Sequence, residues 1–283
     1  MSDPLLLCTD LDRTLIPNGP QSESPLARAH FRRLCASSNL TLAYVSGRHR
    51  ALVRKAITNY TLPQPDYVVG DVGTTIYRVE SAEEWQHLTE WEQKIGSDWA
   101  GRNHADLVQL FTDQSQLRLQ EKRNQNRYKL SYYVPLQADR GDIEATMRER
   151  LQAAGINATL VWSVDEPAGV GLLDVLPASA TKLHAVEFLM QTLGFSRENS
   201  VFSGDSGNDM PVLVSEIPAV LVKNAPPEVR EEAVRIADER QTRDALYLAK
   251  GGYLQMNGNY SAGILEGIAH YHPGWIEQEL TDR

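Results

Sequence analysis

A chain of 283 residues with 42% hydrophobic and 23% charged residues has ordinary globular composition, enough for one large domain or two modest ones. Its 37 acidic against 28 basic residues leave a net charge of −9, which argues against a nucleic-acid backbone or an anionic membrane surface as partner. Two cysteines cannot build a disulfide scaffold, no run approaches the roughly 20 apolar residues of a membrane span, and Leu5-Leu6-Leu7 lacks the basic flank of a signal peptide, so the expectation is a soluble cytoplasmic protein.

Residues 5–9 form an apolar run bounded by Pro4 and Asp10, too short for a helix, and predict a buried strand. After a loop carrying Pro17, Gly19 and Pro20, Ser24 is placed to cap a helix whose first position is Pro25 and whose stripe is Ala27, Phe31 and Leu34. Residues 40–45 predict a second strand, 48–59 a second helix and 66–69 a third strand. A turn at Gly70 and Gly73 and a hairpin-like stretch over 74–79 follow. Strand alternating with helix predicts parallel pairing with right-handed crossovers.

The rhythm then changes. Residues 83–120 are polar, carry Trp85, Trp91 and Trp99, and predict helix. Residues 127–134, 156–164 and 170–176 predict strands, and Ile143, Met147 and Leu151 mark an amphipathic helix over 142–154 that ends at Gly155. The tryptophans suit either internal packing or a platform for a sugar ring, while Tyr132 and Tyr133 suit strand packing. From residue 177 the first rhythm returns. A helix around Leu183–Leu193, strands at 199–203 and 217–222, a helix from Pro226-Pro227 and a last helix over 261–270 complete the chain. The pattern predicts an open α/β sheet, residues 1–79 and 176–283, interrupted by an inserted α+β unit at 80–175.

Open α/β sheets bind ligands at the carboxyl ends of their strands. The first predicted strand ends in Asp10-Leu11-Asp12-Arg13-Thr14, the second in Ser46-Gly47-Arg48, and the strand at 199–203 in Gly204-Asp205-Ser206-Gly207-Asn208-Asp209, while Lys182 precedes the next helix. Taken singly, these are ordinary turn formers and helix caps. Their joint placement on one sheet edge gathers carboxylates that repel one another and need a compensating cation. Aspartate oxygens with no clustered histidine or cysteine select a hard ion, for which Mg2+ is the natural choice.

The order Asp-x-Asp-x-Thr, Ser, Lys, Gly-Asp-x-x-x-Asp resembles the haloacid dehalogenase superfamily of phosphotransferases. That resemblance implies a Rossmann-like parallel sheet core with an inserted cap domain. More narrowly, Thr9-Asp10-Leu11-Asp12, Ala43-Tyr44-Val45-Ser46-Gly47-Arg48, Lys129-Leu130-Ser131-Tyr132, Gly204 to Asp209 and Ala262-Gly263-Ile264-Leu265-Glu266-Gly267-Ile268 are similar to segments of the sucrose-phosphate phosphatase family. Residue 13 departs from the pattern, since the superfamily often carries Gly or Asn where this chain has Arg13.

The resemblance implies Asp10 as nucleophile and Asp12 as general acid and base. It implies a Mg2+ site from Asp10, the Asp12 carbonyl, Asp205 and Asp209, and a phosphate site from Ser46, Gly47, Arg48, Lys182 and Asn208. Lys129 is the candidate sugar or phosphate contact from the cap, the unit expected to set specificity. The expected reaction is Mg2+-dependent hydrolysis of a phosphorylated disaccharide, sucrose 6-phosphate first. Alternatives are mannosylfructose phosphate, mannosyl-3-phosphoglycerate or glucosylglycerol phosphate as substrate, a phosphomutase, or a non-catalytic partner of a sugar-phosphate synthase. The last sits poorly with an intact Asp10 and Asp12.

Overall fold

The computed structural model describes residues 3–165 and 168–275. In chain order its main elements are β1 (Leu5–Thr9), α1 (Ala27–Cys35), β2 (Leu40–Val45), α2 (Arg50–Tyr60), β3 (Tyr67–Gly70), β4 (Thr75–Val79) and β5 (Trp85–His87). Then come α3 (Thr89–Gly96), α4 (His104–Gln109), β6 (Arg118–Leu119), β7 (Leu130–Pro135), α5 (Arg140–Ala153), β8 (Ala158–Asp165) and β9 (Val170–Pro177). The chain continues with α6 (Lys182–Leu193), β10 (Ser200–Gly204), α7 (Met210–Leu213), β11 (Ala219–Leu221), α8 (Pro227–Arg240), β12 (Leu246–Leu248) and α9 (Ser261–Tyr271). None of the described helices is long and apolar enough to cross a membrane.

Two compact units result: residues 1–70, 76–87 and 182–283 in the first, and 71–75 and 88–181 in the second. The first holds an eight-stranded sheet in the order β12-β11-β10-β1-β2-β3-β4-β5. Strands β12, β11, β10, β1, β2 and β3 run parallel, and all but the edge strand β12 are buried enough to read as near-continuous apolar runs. Leu7, Phe31, Leu34, Leu42, Ile264 and Ile268 share one core cluster, which brings α1 and α9 onto the sheet. Each such side chain, fully buried, contributes about 1.5–3 kcal/mol.

The second unit is a four-stranded antiparallel sheet, β6-β7-β9-β8, with α3, α4 and α5. Helix α5 buries Ile143, Met147 and Leu151, the stripe its spacing indicates. Trp91 and Trp99 are fully buried inside this unit. The Trp91 indole donates to the Gly73 carbonyl at 3.0 Å, and Trp99 meets Tyr128 edge-on. Trp85 belongs to the first unit, under the Arg50 guanidinium at 5.5 Å. All three tryptophans are therefore packing residues.

Several sequence expectations shift for identifiable reasons. Trp85–His87 pairs antiparallel with Tyr77–Val79, so the chain stays with the first unit until residue 87. At the other junction, β9 runs to Pro177, and the Ser179 amide and hydroxyl both donate to Asp98, holding residues to 181 in the second unit. Within 83–120 only α3 and α4 are α-helical. Ser24 does not cap α1: its hydroxyl accepts from the Asn257 amide at 2.8 Å, and the helix begins two residues after Pro25, behind Leu26 at φ 67°. The short edge strand β12 carries too few residues to show a period.

Helix α9 approaches the sheet through glycine. A β-carbon on Gly267 would lie 2.1 Å from Val220 Cγ2, and one on Gly263 would lie 2.3 Å from the Gly258 carbonyl oxygen. Val220 is β-branched and cannot swing clear. Gly267→Ala should therefore lower unfolding stability by about 1–3 kcal/mol through overpacking, measured as a shift of the urea midpoint with an unchanged slope. An unmoved midpoint would contradict this packing.

Candidate active site

Strand register brings the acidic residues together. Thr9 pairs with Ser203 on one side and Tyr44 on the other. The residues that follow, Asp10, Gly204-Asp205 and Val45-Ser46, therefore leave the sheet at one level on its carboxyl edge. The Asp10 amide donates to the Ser203 carbonyl and the Ser46 amide to the Val69 carbonyl, both at 2.9 Å. Strand β1 is central, with β2 to one side and β10 to the other. The chain order reverses there, which is where open α/β sheets place their ligands.

At that edge Asp10, Asp205 and Asp209 are all buried, and an oxygen of each lies within 4.8 Å of the others. Lys182, at the first position of α6, is the counter-charge. Its Nζ lies 3.2 Å from Asp10 Oδ1 and donates to Asp209 Oδ1 at 2.6 Å and to Asn208 Oδ1 at 2.9 Å. The other Asp209 oxygen, Oδ2, accepts from the Asp205 and Ser206 amides and the Ser206 hydroxyl. Gly204 is required by this arrangement, because a β-carbon there would fall 2.6 Å from the Asp209 carboxyl carbon.

Burial pushes the Asp10 carboxyl up to about 8; Lys182 opposes this, and Asp209 and Asp205 reinforce it. Burial, then Asp209, push Asp205 up to about 6 against the Thr14 hydrogen bond and the Arg13 charge. Burial also works against the Lys182 ammonium, but Asp10 and Asp209 outweigh it and hold that group above the ordinary lysine range. The three carboxylates thus meet one ammonium inside the cluster and one guanidinium at its edge, and ionising all three leaves negative charge over.

The carboxylate of Asp205 shows where a cation fits. Its Oδ1 accepts from the Thr14 hydroxyl at 3.1 Å, while its Oδ2 is buried with no hydrogen-bond donor, the nearest cation being Arg13 Nε at 3.6 Å. A buried carboxylate oxygen that receives no hydrogen bond is costly. An oxygen-only donor set of three clustered carboxylates fits a hard divalent ion. Asp10 and Asp205 are the side chains that could hold such an ion. Asp209, with both oxygens engaged, braces Lys182 and the 205–206 amides.

Asp12 is held differently. Arg48 grips it in a fork, Nε to Oδ2 at 2.6 Å and Nη2 to Oδ1 at 2.5 Å, and Asn18 donates to Oδ1 at 2.7 Å. Burial alone would raise the Asp12 carboxyl, but the Arg48 hydrogen bonds and charge, with Asn18, outweigh it and hold it below its usual range. The Arg48 guanidinium is thus engaged with Asp12, and its own amide donates to the Ser46 hydroxyl oxygen at 3.2 Å. Ser46 is buried, and the α-carbon of Gly47 faces open space.

Lys129 lies in the second unit. It is buried, and its ammonium stands 3.6 Å from Asp174, which also accepts from the Ser131 hydroxyl. Tyr132 packs inward against Phe111, while the Tyr133 hydroxyl donates to Glu121 on the opposite face. Three residues of the first unit were not singled out from the sequence. Thr14 was visible in its motif. Asn18 and Asn224 were not: both hold the backbone of Arg13, and Asn18 also donates to Asp12. The Arg13 φ of 59° lies in the left-handed region, which accounts for Gly or Asn being usual there.

Residues 3–272 match the family model of sucrose-6F-phosphate phosphohydrolase. The chain is 51% identical over 280 residues, 98% of its length and 75% of the relative's, to a protein of Nitrosococcus oceani described only as a HAD-like hydrolase. It is 30% identical over 270 residues, 94% of its length and 96% of the relative's, to the mannosylfructose-phosphate phosphatase of Agrobacterium fabrum. Among solved structures, the sucrose-phosphatase of Synechocystis sp. PCC6803, in complex with sucrose and phosphate, superimposes with a TM-score of 0.69 at 26% identity, covering 95% of this chain and 98% of that one.

The raised carboxyls predict how a cation stabilises the fold. A carboxyl whose folded value exceeds its unfolded one contributes stability that is complete below the unfolded value, about 4, and lost as pH rises through the folded one. For Asp205 and Asp10 that loss runs up to about 6 and about 8. Added MgCl2, by binding the ionised cluster, should raise Tm more near pH 8 than near pH 5. A shift that is absent, or larger at the acidic end, would contradict this cluster as the site.

Proposed function

The chain belongs to the sucrose-6F-phosphate phosphohydrolase family, and from that premise we propose that it is a Mg2+-dependent phosphatase of a phosphorylated disaccharide, sucrose 6-phosphate first. Its class is that of a HAD-type phosphoric monoester hydrolase. The observation that carries the metal-dependent reading is the buried Asp10–Asp205–Asp209 cluster, with one ammonium among three carboxylates and an Asp205 oxygen that no hydrogen bond reaches.

Phosphate monoesters resist attack because their charge repels nucleophiles, so neutralisation and alignment carry most of the catalysis. A bound Mg2+ supplies neutralising charge and orients the ester. Asp10 is the nucleophile. Its carboxylate oxygen bonds to phosphorus, the bond from phosphorus to the sugar oxygen breaks, and an aspartyl-phosphate forms on Asp10. Lys182 holds charge beside Asp10, and the Ser46–Gly47 turn offers hydrogen bonds to phosphoryl oxygens.

Asp12 moves the protons, giving one to the departing sugar oxygen and taking one from the water that then hydrolyses the aspartyl-phosphate. Clamped by Arg48 and Asn18, Asp12 is in the ionised form the second step needs. In the first step it must carry a proton, so the Arg48 grip is the contact that has to yield. Similarity to a mannosylfructose-phosphate phosphatase at 30% identity favours mannosylfructose phosphate as a second substrate.

Phosphate release should be measured over a panel of sugar phosphates with and without Mg2+. The expected outcome is metal-dependent release with the highest kcat/KM for sucrose 6-phosphate, and a loss of at least about 10³-fold for Asp10→Asn. A higher kcat/KM for mannosylfructose phosphate would transfer the assignment to that ester. Full activity of Asp10→Asn, or release indifferent to divalent ions, would overturn the mechanism.

A further inference from the structure

Residue 13 joins Asp12 to Thr14, and its backbone is held at both ends by asparagine side chains. The Arg13 amide donates to Asn18 Oδ1 at 2.8 Å, and the Arg13 carbonyl accepts from Asn224 Nδ2 at 2.6 Å. Asn18 is five residues away. Asn224 is 211 residues away, in the loop after β11, and is 3% exposed. The same carboxamide accepts, through Oδ1, from the Tyr260 amide at 2.8 Å.

Both partners of Asn224 are non-glycine residues at positive φ, 59° at Arg13 and 51° at Tyr260. Such backbones persist only where their surroundings hold them. The segment around Tyr260 is itself fastened. Asn257 and Asn259 donate to the Ser22 carbonyl, the Tyr260 hydroxyl donates to the Gln21 carbonyl, and the Lys223 amide donates to the Gly258 carbonyl. Asn224 thus transmits a rigid anchor to the one strained residue of the loop that carries Asp10, Asp12 and Thr14.

We propose that Asn224 is a positioning residue for the reaction. Its carboxamide holds Arg13 in the left-handed conformation, and so fixes where Asp12 and the Thr14 hydroxyl stand relative to Asp205. Only a group that donates and accepts at once fills this place. An aspartate keeps the bond from Tyr260 but sets an oxygen against the Arg13 carbonyl. A glycine at position 13 needs no such clamp, because it takes positive φ freely. The assignment rests on residues 10–14 being the catalytic loop.

The test is a double-mutant cycle in the Mg2+-loaded protein. Asn224→Asp should lower kcat on the order of 10- to 100-fold, with KM changed less, in the parent chain. In a chain already carrying Arg13→Gly, the same substitution should cost less than about threefold. Asn224→Ala, which introduces no charge, should follow the same pattern and serves if the aspartate variant does not fold. Amide hydrogen exchange supplies a readout free of catalysis: residues 12–16 should exchange faster in the Asn224 variants and regain protection when Arg13→Gly is added. Equal losses in both backgrounds, or unchanged exchange at 12–16, would overturn the proposal. Altered exchange in a parent chain that hydrolyses no ester would uphold the clamp and refute the phosphatase reading instead.

Discussion

Three buried carboxylates with an oxygen of each within 4.8 Å of the others, facing one ammonium and the edge of one guanidinium, form an arrangement that only compensation makes affordable. Desolvation raises Asp10 and Asp205, and their mutual repulsion adds to it, so the cluster stores unfavourable charge in the resting fold. Much of the surrounding geometry limits that cost. Lys182 is placed by the start of α6, Gly204 leaves room for the Asp209 carboxyl, and the backbone of residues 205 and 206 turns its amides onto Asp209. What these contacts leave without a hydrogen bond is one Asp205 oxygen, and oxygen ligands of this kind suit a hard divalent cation.

This concentration of charge was legible in the sequence because parallel-strand topology acts on short segments. Each of β1, β2 and β10 is a brief apolar run that ends in polar residues, and parallel pairing in register delivers those ends to one edge. Asp10, Asp12, Ser46, Asp205 and Asp209 could be placed on that edge without coordinates for that reason, whereas Lys182 is placed by the start of α6. The partners that hold them could not. Arg48 presents as a phosphate contact by its place after Ser46-Gly47, yet its guanidinium is committed to Asp12, a pairing across 36 residues that no period encodes. Asn224 reaches Arg13 across 211 residues, and a left-handed φ at an arginine leaves no compositional trace.

The second unit was harder to read. Its helix α5 and strands β7, β8 and β9 follow from their apolar periods, but the stretch from 83 to 120 breaks into a strand, short helices and turns whose ends are set by tertiary contacts. Trp85 is a strand residue of the first unit because it pairs back on β4, and Trp91 and Trp99 are interior because their unit is small and needs bulk. Lys129 carries its counter-ion, Asp174, on the neighbouring strand of its own sheet. Strand alternation shows which residues face inward, but not which buried charge has a partner.

The central claim is that one hard cation sits among these carboxylates. Anomalous diffraction from crystals soaked in Mn2+, which has the oxygen preference of Mg2+, tests it most directly. The account predicts an anomalous peak within about 2.0–2.3 Å of a carboxylate oxygen of both Asp10 and Asp205. A map with no peak at these two residues, or with its only strong peak elsewhere on the chain, would contradict it.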